Sequence, residues 1–139
     1  MRILVDTNVL LDVLCNRKEF VGMSAKVWKC CETKIAEGHI SALSVPNIVY
    51  ILRKELDAKK TKEITDRIGL IFTIDDLRAD DLKRAAALEY SDYEDTLQMI
   101  CAERIKADHI VTRNIKDFSG SSVPAITPAD FISIIGQKI

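Results

Sequence analysis

Three short clusters in this 139-residue sequence carry side chains able to do chemistry: Asp6-Thr7-Asn8, Asp92-Tyr93-Glu94-Asp95, and Thr112-Arg113-Asn114-Ile115-Lys116-Asp117-Phe118. Carboxylates gathered in one place repel each other, and holding several ionised is costly unless a cation neutralises them. Hard oxygen donors with no clustered histidines favour Mg²⁺ or Mn²⁺ over zinc. Such ions activate water and neutralise the charge that builds on a phosphate during in-line displacement, so the chemistry indicated is phosphodiester hydrolysis. The only histidines are His39 and His109, and no C-x-x-C occurs, which argues against a structural zinc site. No serine or cysteine nucleophile with a base partner is evident.

The bulk properties set the frame. Hydrophobic residues make up 47% of the chain and charged residues 29%, the balance of an ordinary globular protein rather than a disordered one. The length fits one domain, 1–139, and no repeat or Pro/Gly-rich linker divides it. No apolar run is long enough to cross a bilayer. The opening run Met1-Arg2-Ile3-Leu4-Val5 is broken by Asp6 and does not read as a signal peptide, so a cytoplasmic protein is expected. Cys15, Cys30, Cys31 and Cys101 sit in helix-like apolar contexts, as reduced cysteines do. The formal net charge of −1 means that any nucleic-acid contact must come from local patches.

The elements that must position these clusters alternate between short β-like runs and longer helical patterns, which implies an α/β fold with a parallel sheet. Ile3-Leu4-Val5 reads as a central strand covered on both faces. A helix follows it through Leu14. A second runs from Phe20 with Met23, Val27, Cys30, Cys31 and Ile35 at helical spacing, and Gly38 is expected to end it. His39 to Ala42 reads as the next strand. Ser44 is expected to cap a helix whose buried stripe is Val45, Ile48, Val49, Leu52 and Leu56. A more exposed helix spans Lys59 to Ile68, and Leu70 to Ile74 reads as a strand. Helices from Asp76 to Glu89 and Asp92 to Lys106 precede strands at His109–Thr112 and Ala125–Ile126, and Thr127-Pro128-Ala129-Asp130 opens a last helix. The expected whole is a three-layer α/β/α sandwich on about five parallel strands. In such a sheet functional groups collect beyond the carboxyl ends of the strands, where all three clusters fall.

The run Ile3 to Asp12, then Asp92 to Gln98, then Ile110 to Phe118, closing with Thr127-Pro128 and Phe131, resembles PIN-domain proteins over nearly the whole chain, and within them the toxin-type branch of prokaryotes. The resemblance implies a Mg²⁺- or Mn²⁺-dependent ribonuclease, often the toxin paired with an antitoxin protein and often a homodimer. Asp6 then matches the first metal-ligating acid, Asp95 the acid of the central helix and Asp117 the late acid, with Asp92 a further acid near the metal. Asn8 and Thr112 match polar residues that orient the site. The sequence departs from the family pattern at Asn47, where many members carry Glu, and at Asn114, frequently Asp. Asn47 can hydrogen-bond but brings no charge. Arg113 and Lys116 flank the site where a phosphate backbone would lie, as the candidate RNA contacts.

Blander roles stand beside these. Asp6 could cap the helix it precedes. Asp92 and Asp95 lie where the helix dipole favours acids anyway. Ser91-x-x-Glu94 reads as a capping box, which would make Glu94 structural unless it or Asp92 makes up for the missing glutamate. Asp117 could be a turn residue. Asp75, Asp76, Asp80 and Asp81 read as caps and solvated face. His39 and His109 read as structural, and Trp28 as either a peripheral core residue or a partner contact. Two other functions compete with the ribonuclease: an inert PIN-like module that binds RNA or a protein partner, and a phosphatase using Asp6 as nucleophile. The latter class carries a second acid two residues on, where this chain has Asn8.

Overall fold

The computed structural model describes residues 1–88 and 92–138. Five strands, β1 (Arg2–Val5), β2 (Glu37–Ser41), β3 (Thr73–Asp75), β4 (His109–Val111) and β5 (Ala125–Ile126), form one sheet in the order β3-β2-β1-β4-β5. Every pairing is parallel. The helices are α1 (Thr7–Leu14), α2 (Val21–Glu32), α3 (Ser44–Leu52), α4 (Ala58–Ile71), α5 (Ala79–Leu88), α6 (Tyr93–Arg104) and α7 (Pro128–Lys138), with a one-turn 3₁₀ helix at Ile115–Phe118.

Alternation along β1 divides the core between the two faces of the sheet. Ile3 and Val5 pack with Val9 and Leu10 of α1, Val27 and Cys31 of α2, Ile48 of α3 and Phe131 of α7. Leu4, between them in sequence, packs on the other face with Met99, Cys101 and Ala102 of α6, Ile110 of β4 and Phe118. Leu97 and Ile100 of α6 also meet Ala85 of α5. This is the expected three-layer sandwich. The chain leaves β1 toward β2 and β3 on one side, then returns to lay β4 and β5 on the other. The boundary between β1 and β4 is therefore the point where the strand order reverses, and a crevice is expected there. Among the described residues no helix is long and apolar enough to cross a membrane.

Several local expectations need correction. Gly38 does not end α2; it lies inside β2. The helix stops at Glu32, and Lys34 takes a positive φ of 64° in the turn that follows. What Gly38 supplies is space: a Cβ there would lie 2.6 Å from Cys31 Sγ and 2.9 Å from Phe72 Cδ1. Both neighbours are buried. Gly38→Ala should therefore destabilise the protein by about 1–3 kcal/mol, read as a shift in the urea midpoint at unchanged slope. An unchanged midpoint would mean that the helix and the strand can separate freely.

Ser44 is the first helical residue of α3 rather than its cap, which is Leu43, and its hydroxyl meets Thr7 Oγ1 at 2.6 Å. The segment from Leu70 to Ile74 is helical as far as Ile71; Leu70 is 81% exposed, and only Thr73–Asp75 pairs with β2. Periodicity misleads there because so short an edge strand and the last turn of a helix both read as a brief apolar run. Ile35 and Met23 are exposed, and Trp28 packs edge-on to Phe72 with ring centroids 5.2 Å apart, in a peripheral core role. Asp75 and Asp81 are partnered rather than solvated: Asp75 bonds His39 Nδ1 at 2.7 Å, and Asp81 pairs with Arg104. All four cysteines are free.

Candidate active site

The site is built at the carboxyl ends of β1 and β4. Asp6 follows the last residue of β1, and its amide donates to Val111 O at 3.0 Å, tying it to the neighbouring strand end. Asp6 occupies the N-cap position of α1, yet its side chain makes no capping hydrogen bond. Gln98 Nε2 donates to one carboxylate oxygen at 3.0 Å, and Thr112 Oγ1 donates to the other at 3.0 Å. Asp6 is only 5% exposed. Burial pushes its carboxyl above the usual range, while the Thr112 hydroxyl, the nearby amides of Thr7 and Asn8 and the Arg113 guanidinium pull it back. The side chain thus makes its hydrogen bonds to Gln98 and Thr112, while the first-turn amides of Thr7 and Asn8 act on it without a capping hydrogen bond.

The second acid comes from α6, the helix buried on nearly every side from Thr96 to Ala102. Its N-cap is Asp92, whose Oδ1 accepts from the amide of Asp95 at 3.0 Å. Ser91, the other half of the expected capping box, lies outside the described residues, as does Glu89 at the end of the expected preceding helix. With Asp92 in the capping position, Glu94 is left to line the cavity instead. Asp95, one residue further, is half-buried beside Asp6. Partial burial and the charges of Asp92, Asp6, Asp117 and Glu94 together push its carboxyl up to about 7. The repulsion expected of crowded carboxylates is therefore felt at Asp95.

Asp6 and Asp95 face an open cavity of about 390 Å³, together with Asn8 of α1, Asn47 of α3, Glu94 and Gln98. Lys54 also lines it, its ammonium 4.7 Å from the Tyr50 ring centroid. Asp92 and Asp117 stand outside this lining, although their charges reach Asp95. Asp117 is exposed on the 3₁₀ turn, next to exposed Lys116. Among the described residues no three His, Cys, Asp or Glu side chains converge as a ready-made metal cage. The Asp6 oxygens are held by Gln98 and Thr112, Asp92 caps its own helix, and Asp117 sits on a separate turn.

Some contributors had no role assigned from sequence. Gln98 both holds Asp6 and leaves its own Oε1 buried without a partner among the described residues. It lies one helical turn after Asp95, near enough in sequence to have been a candidate. Asp12 is fully buried, accepting from Ser24 Oγ at 3.0 Å, Arg113 Nε at 2.9 Å and Arg17 Nη1 at 3.4 Å. It closes the Ile3–Asp12 run that carries the family resemblance and lies one helical turn after Asn8, yet no role was read for it. Arg113, expected beside the phosphate backbone, has its Nε on Asp12 and its guanidinium 3.8 Å over the Phe20 ring. Thr112 is doubly engaged, donating to Asp6 and accepting from the amide of Asn114 at 3.1 Å.

A family model described as PIN domain matches residues 2–116. No curated protein matches the sequence. Solved structures of similar fold include a toxin–antitoxin complex from Klebsiella pneumoniae, at 23% identity over 91% of this chain and 97% of that chain, with a TM-score of 0.68. VapBC2 from Rickettsia felis, bound to a DNA fragment from its promoter, is 17% identical over 91% and 98%, with a TM-score of 0.67. FitAcB from Neisseria gonorrhoeae is 19% identical over 91% and 98%, with a TM-score of 0.66. At these identities the likeness is one of fold.

Proposed function

Since the chain belongs to the PIN-domain family, we propose that it is a divalent-metal-dependent endoribonuclease, one PIN-like domain over 1–139, hydrolysing RNA phosphodiester bonds. PIN domains are nucleases as a class and generally use divalent ions. The observation that carries the proposal is the meeting of Asp6 and Asp95 in one open cavity at the strand-order reversal, with Asp95 pushed up to about 7 by its acidic neighbours.

The donor set fits Mg²⁺ or Mn²⁺. It offers carboxylates and carboxamides and neither thiolate nor imidazole. Mg²⁺ is commonly held by one or two carboxylates, waters and substrate phosphate, so a complete acidic cage is not required. Asp6 and Asp95 would hold the ion, with Asp92 and Asp117 as the outer acids. When bound, the ion supplies an activated water and charge neutralisation at phosphorus. The Thr112 hydroxyl and Gln98 amide keep the Asp6 carboxylate in one orientation, while Asn8 and Asn47 offer hydrogen bonds to the ion's water shell or to substrate. Lys116, exposed on the turn after β4, and Arg113 remain the candidate contacts to the RNA backbone, although neither lines the acidic cavity.

Toxin activity held by an antitoxin protein, a homodimeric state and a cytoplasmic location belong to the same proposal. Support for the antitoxin partner is that a fold neighbour from Klebsiella pneumoniae is described as a toxin–antitoxin complex; the homodimer rests on the family resemblance and the location on the sequence reading. The second function to keep is the inert module that binds RNA or a protein partner, favoured by Asn47 standing in the cavity wall in place of an acid. Titrating Mn²⁺ and Mg²⁺ into purified protein, with cleavage of a mixed RNA pool followed alongside, separates the two. Saturable binding with cleavage supports the nuclease; neither in wild type leaves the inert module.

A pH dependence follows from Asp95. With its carboxyl at about 7, most molecules lacking metal carry it protonated at pH 6 and ionised at pH 8. A cation competes with that proton. Mn²⁺ affinity measured calorimetrically should rise about tenfold between pH 6 and pH 8, with proton release on binding. The stability of the metal-free protein should move the other way. A raised carboxyl binds more protons folded than unfolded, so stability falls as pH climbs from the ordinary carboxylate range through about 7. Metal affinity flat across that window would remove Asp95 from the ion's coordination.

A further inference from the structure

A second open cavity, of about 470 Å³, lies at the same edge of the sheet as the acids. Phe20, Met23 and Pro128 give it apolar walls, and Lys18, Lys26 and Arg113 line it with three cations against the single acid Glu19. Asp12 balances the Arg113 charge, which leaves Lys18 and Lys26 against Glu19, a small positive excess on a chain whose net charge is −1. Two of its walls follow strand ends: Arg113 comes after β4, and Pro128 after β5.

Arg113 joins the cavity to the acidic site. It lines the cavity, and its charge acts on Asp6. Its guanidinium carbon lies 3.8 Å from the Phe20 ring centroid, and Asp12 accepts from its Nε. Its two terminal nitrogens make no hydrogen bond among the described residues, leaving donors free beside an aromatic ring. A polar line runs on from there: Asp12 also accepts from Arg17, and Arg17 donates to Asn8 Oδ1 at 3.3 Å in the acidic cavity.

A rigid aromatic–guanidinium platform with flanking lysines is the chemistry that receives an unpaired nucleobase and its phosphates. Bases splayed out of a single strand stack on aromatic rings and arginine planes, whereas a duplex keeps its bases stacked on each other. We propose that this cavity is a nucleobase subsite, taking one unstacked base of single-stranded RNA against Phe20 and Arg113, with adjoining phosphates on Lys18 and Lys26. The proposal rests on the nuclease function given above and specifies its substrate: a single-stranded segment whose scissile bond reaches Asp6 and Asp95 while a nearby base is anchored here. Stacking tolerates any base, so the subsite selects strandedness and register more than sequence.

The test uses the whole chain and a labelled single-stranded RNA oligonucleotide in EDTA, with binding read by fluorescence anisotropy. A set of oligonucleotides, each carrying one abasic position, leaves the protein unaltered. One such position should weaken binding to wild type at least about fivefold. Phe20→Leu, which keeps apolar bulk, should lose the same factor on intact RNA and nothing more on that abasic one. Lys18→Ala with Lys26→Ala should flatten the salt dependence of binding by about two counterions. An abasic series without effect on wild type overturns the proposal, as does a folded Phe20→Leu that binds intact RNA normally. Normal RNA binding by Phe20→Leu combined with loss of a protein partner would reassign the cavity as a protein dock. Cleavage of RNA by metal-loaded wild type, measured in parallel, keeps the two conclusions apart. Cleavage with a flat abasic series sinks the subsite alone; abasic effects without cleavage sink the nuclease alone; no RNA binding at all removes the subsite.

Discussion

Asp6→Asn should reduce metal-dependent RNA cleavage by well over a hundredfold, while leaving the protein as stable as wild type or more so at neutral pH. The loss follows from position. Removing a group that merely supports a metal ligand typically costs 10–100-fold in affinity or activity, roughly the effect expected of Thr112→Val or Gln98→Leu, and the ligand itself should cost more. The stability half has a different origin. Asp6 is almost fully buried and desolvation pushes its carboxyl above the usual range, so ionising it costs more in the folded protein than in the unfolded chain. A raised carboxyl loses stability as pH rises from the ordinary carboxylate range toward its folded value, so a neutral replacement gives up nothing on that account. Asparagine keeps the shape without the charge and can still accept one of the two hydrogen bonds from Gln98 and Thr112. Single-turnover cleavage and thermal unfolding on the same preparation check both halves. A variant that cuts at near wild-type rate would remove Asp6 from the chemistry. One that is inactive but clearly less stable would instead make Asp6 a structural residue.

The largest effect on stability is expected at a residue outside the reaction. Asp12→Ala should cost about 3 kcal/mol, close to the lower end of what breaking a buried ion pair costs. Asp12 is fully buried, and it takes hydrogen bonds from Arg113, Ser24 and Arg17. Alanine would leave the Arg113 and Arg17 guanidinium groups and the Ser24 hydroxyl without this acceptor. The loss stays near the lower end because the Arg113 side chain is 20% and the Arg17 side chain 34% exposed, so both reach some water. In a protein of this size the fall in melting temperature should be roughly 10 °C. Urea unfolding gives the energy directly, and a loss below about 1 kcal/mol would show that the arginines find other partners. Because Arg113 owes its place on Phe20 to Asp12, RNA affinity should fall in the same variant where it remains folded.

Much of the architecture was legible in the residues. The continuous apolar run Ile3-Leu4-Val5 could only be a strand covered on both faces, and the structure sets its side chains alternately into two cores. The helical periods announced α1, α2, α3 and α6, and Thr127 caps α7 by accepting from the amide of Asp130. Boundaries failed where two local signals compete. Gly38 reads as a helix stop because glycine commonly is one, yet what sets it is the distance between α2 and β2, a tertiary quantity. The Leu70–Ile74 run carries residues that suit a strand, and α4 takes its first part because a three-residue edge strand exerts little pull on what precedes it.

For the candidate site the division is sharper. The sequence by itself determined that Asp6 and Thr112 stand at strand ends, since a parallel sheet directs every strand's carboxyl end to one edge and each directly follows its strand, whereas the Asp92 cluster opens α6 and reaches that edge through the packing of the helix. It determined the hard-oxygen character of the cluster too, because residue types alone decide that. Only the tertiary structure decided how the acids divide their work. Asp95 comes to face Asp6 while Asp92 turns back to cap its helix and Glu94 moves into the cavity wall, choices set by where α6 lies against the sheet. The pairing of Asp12 with Arg113 spans 101 positions of sequence and leaves no local period or motif to read. Such contacts exist because the sheet brings the end of β4 beside α1, and no property of either segment taken singly encodes that distance.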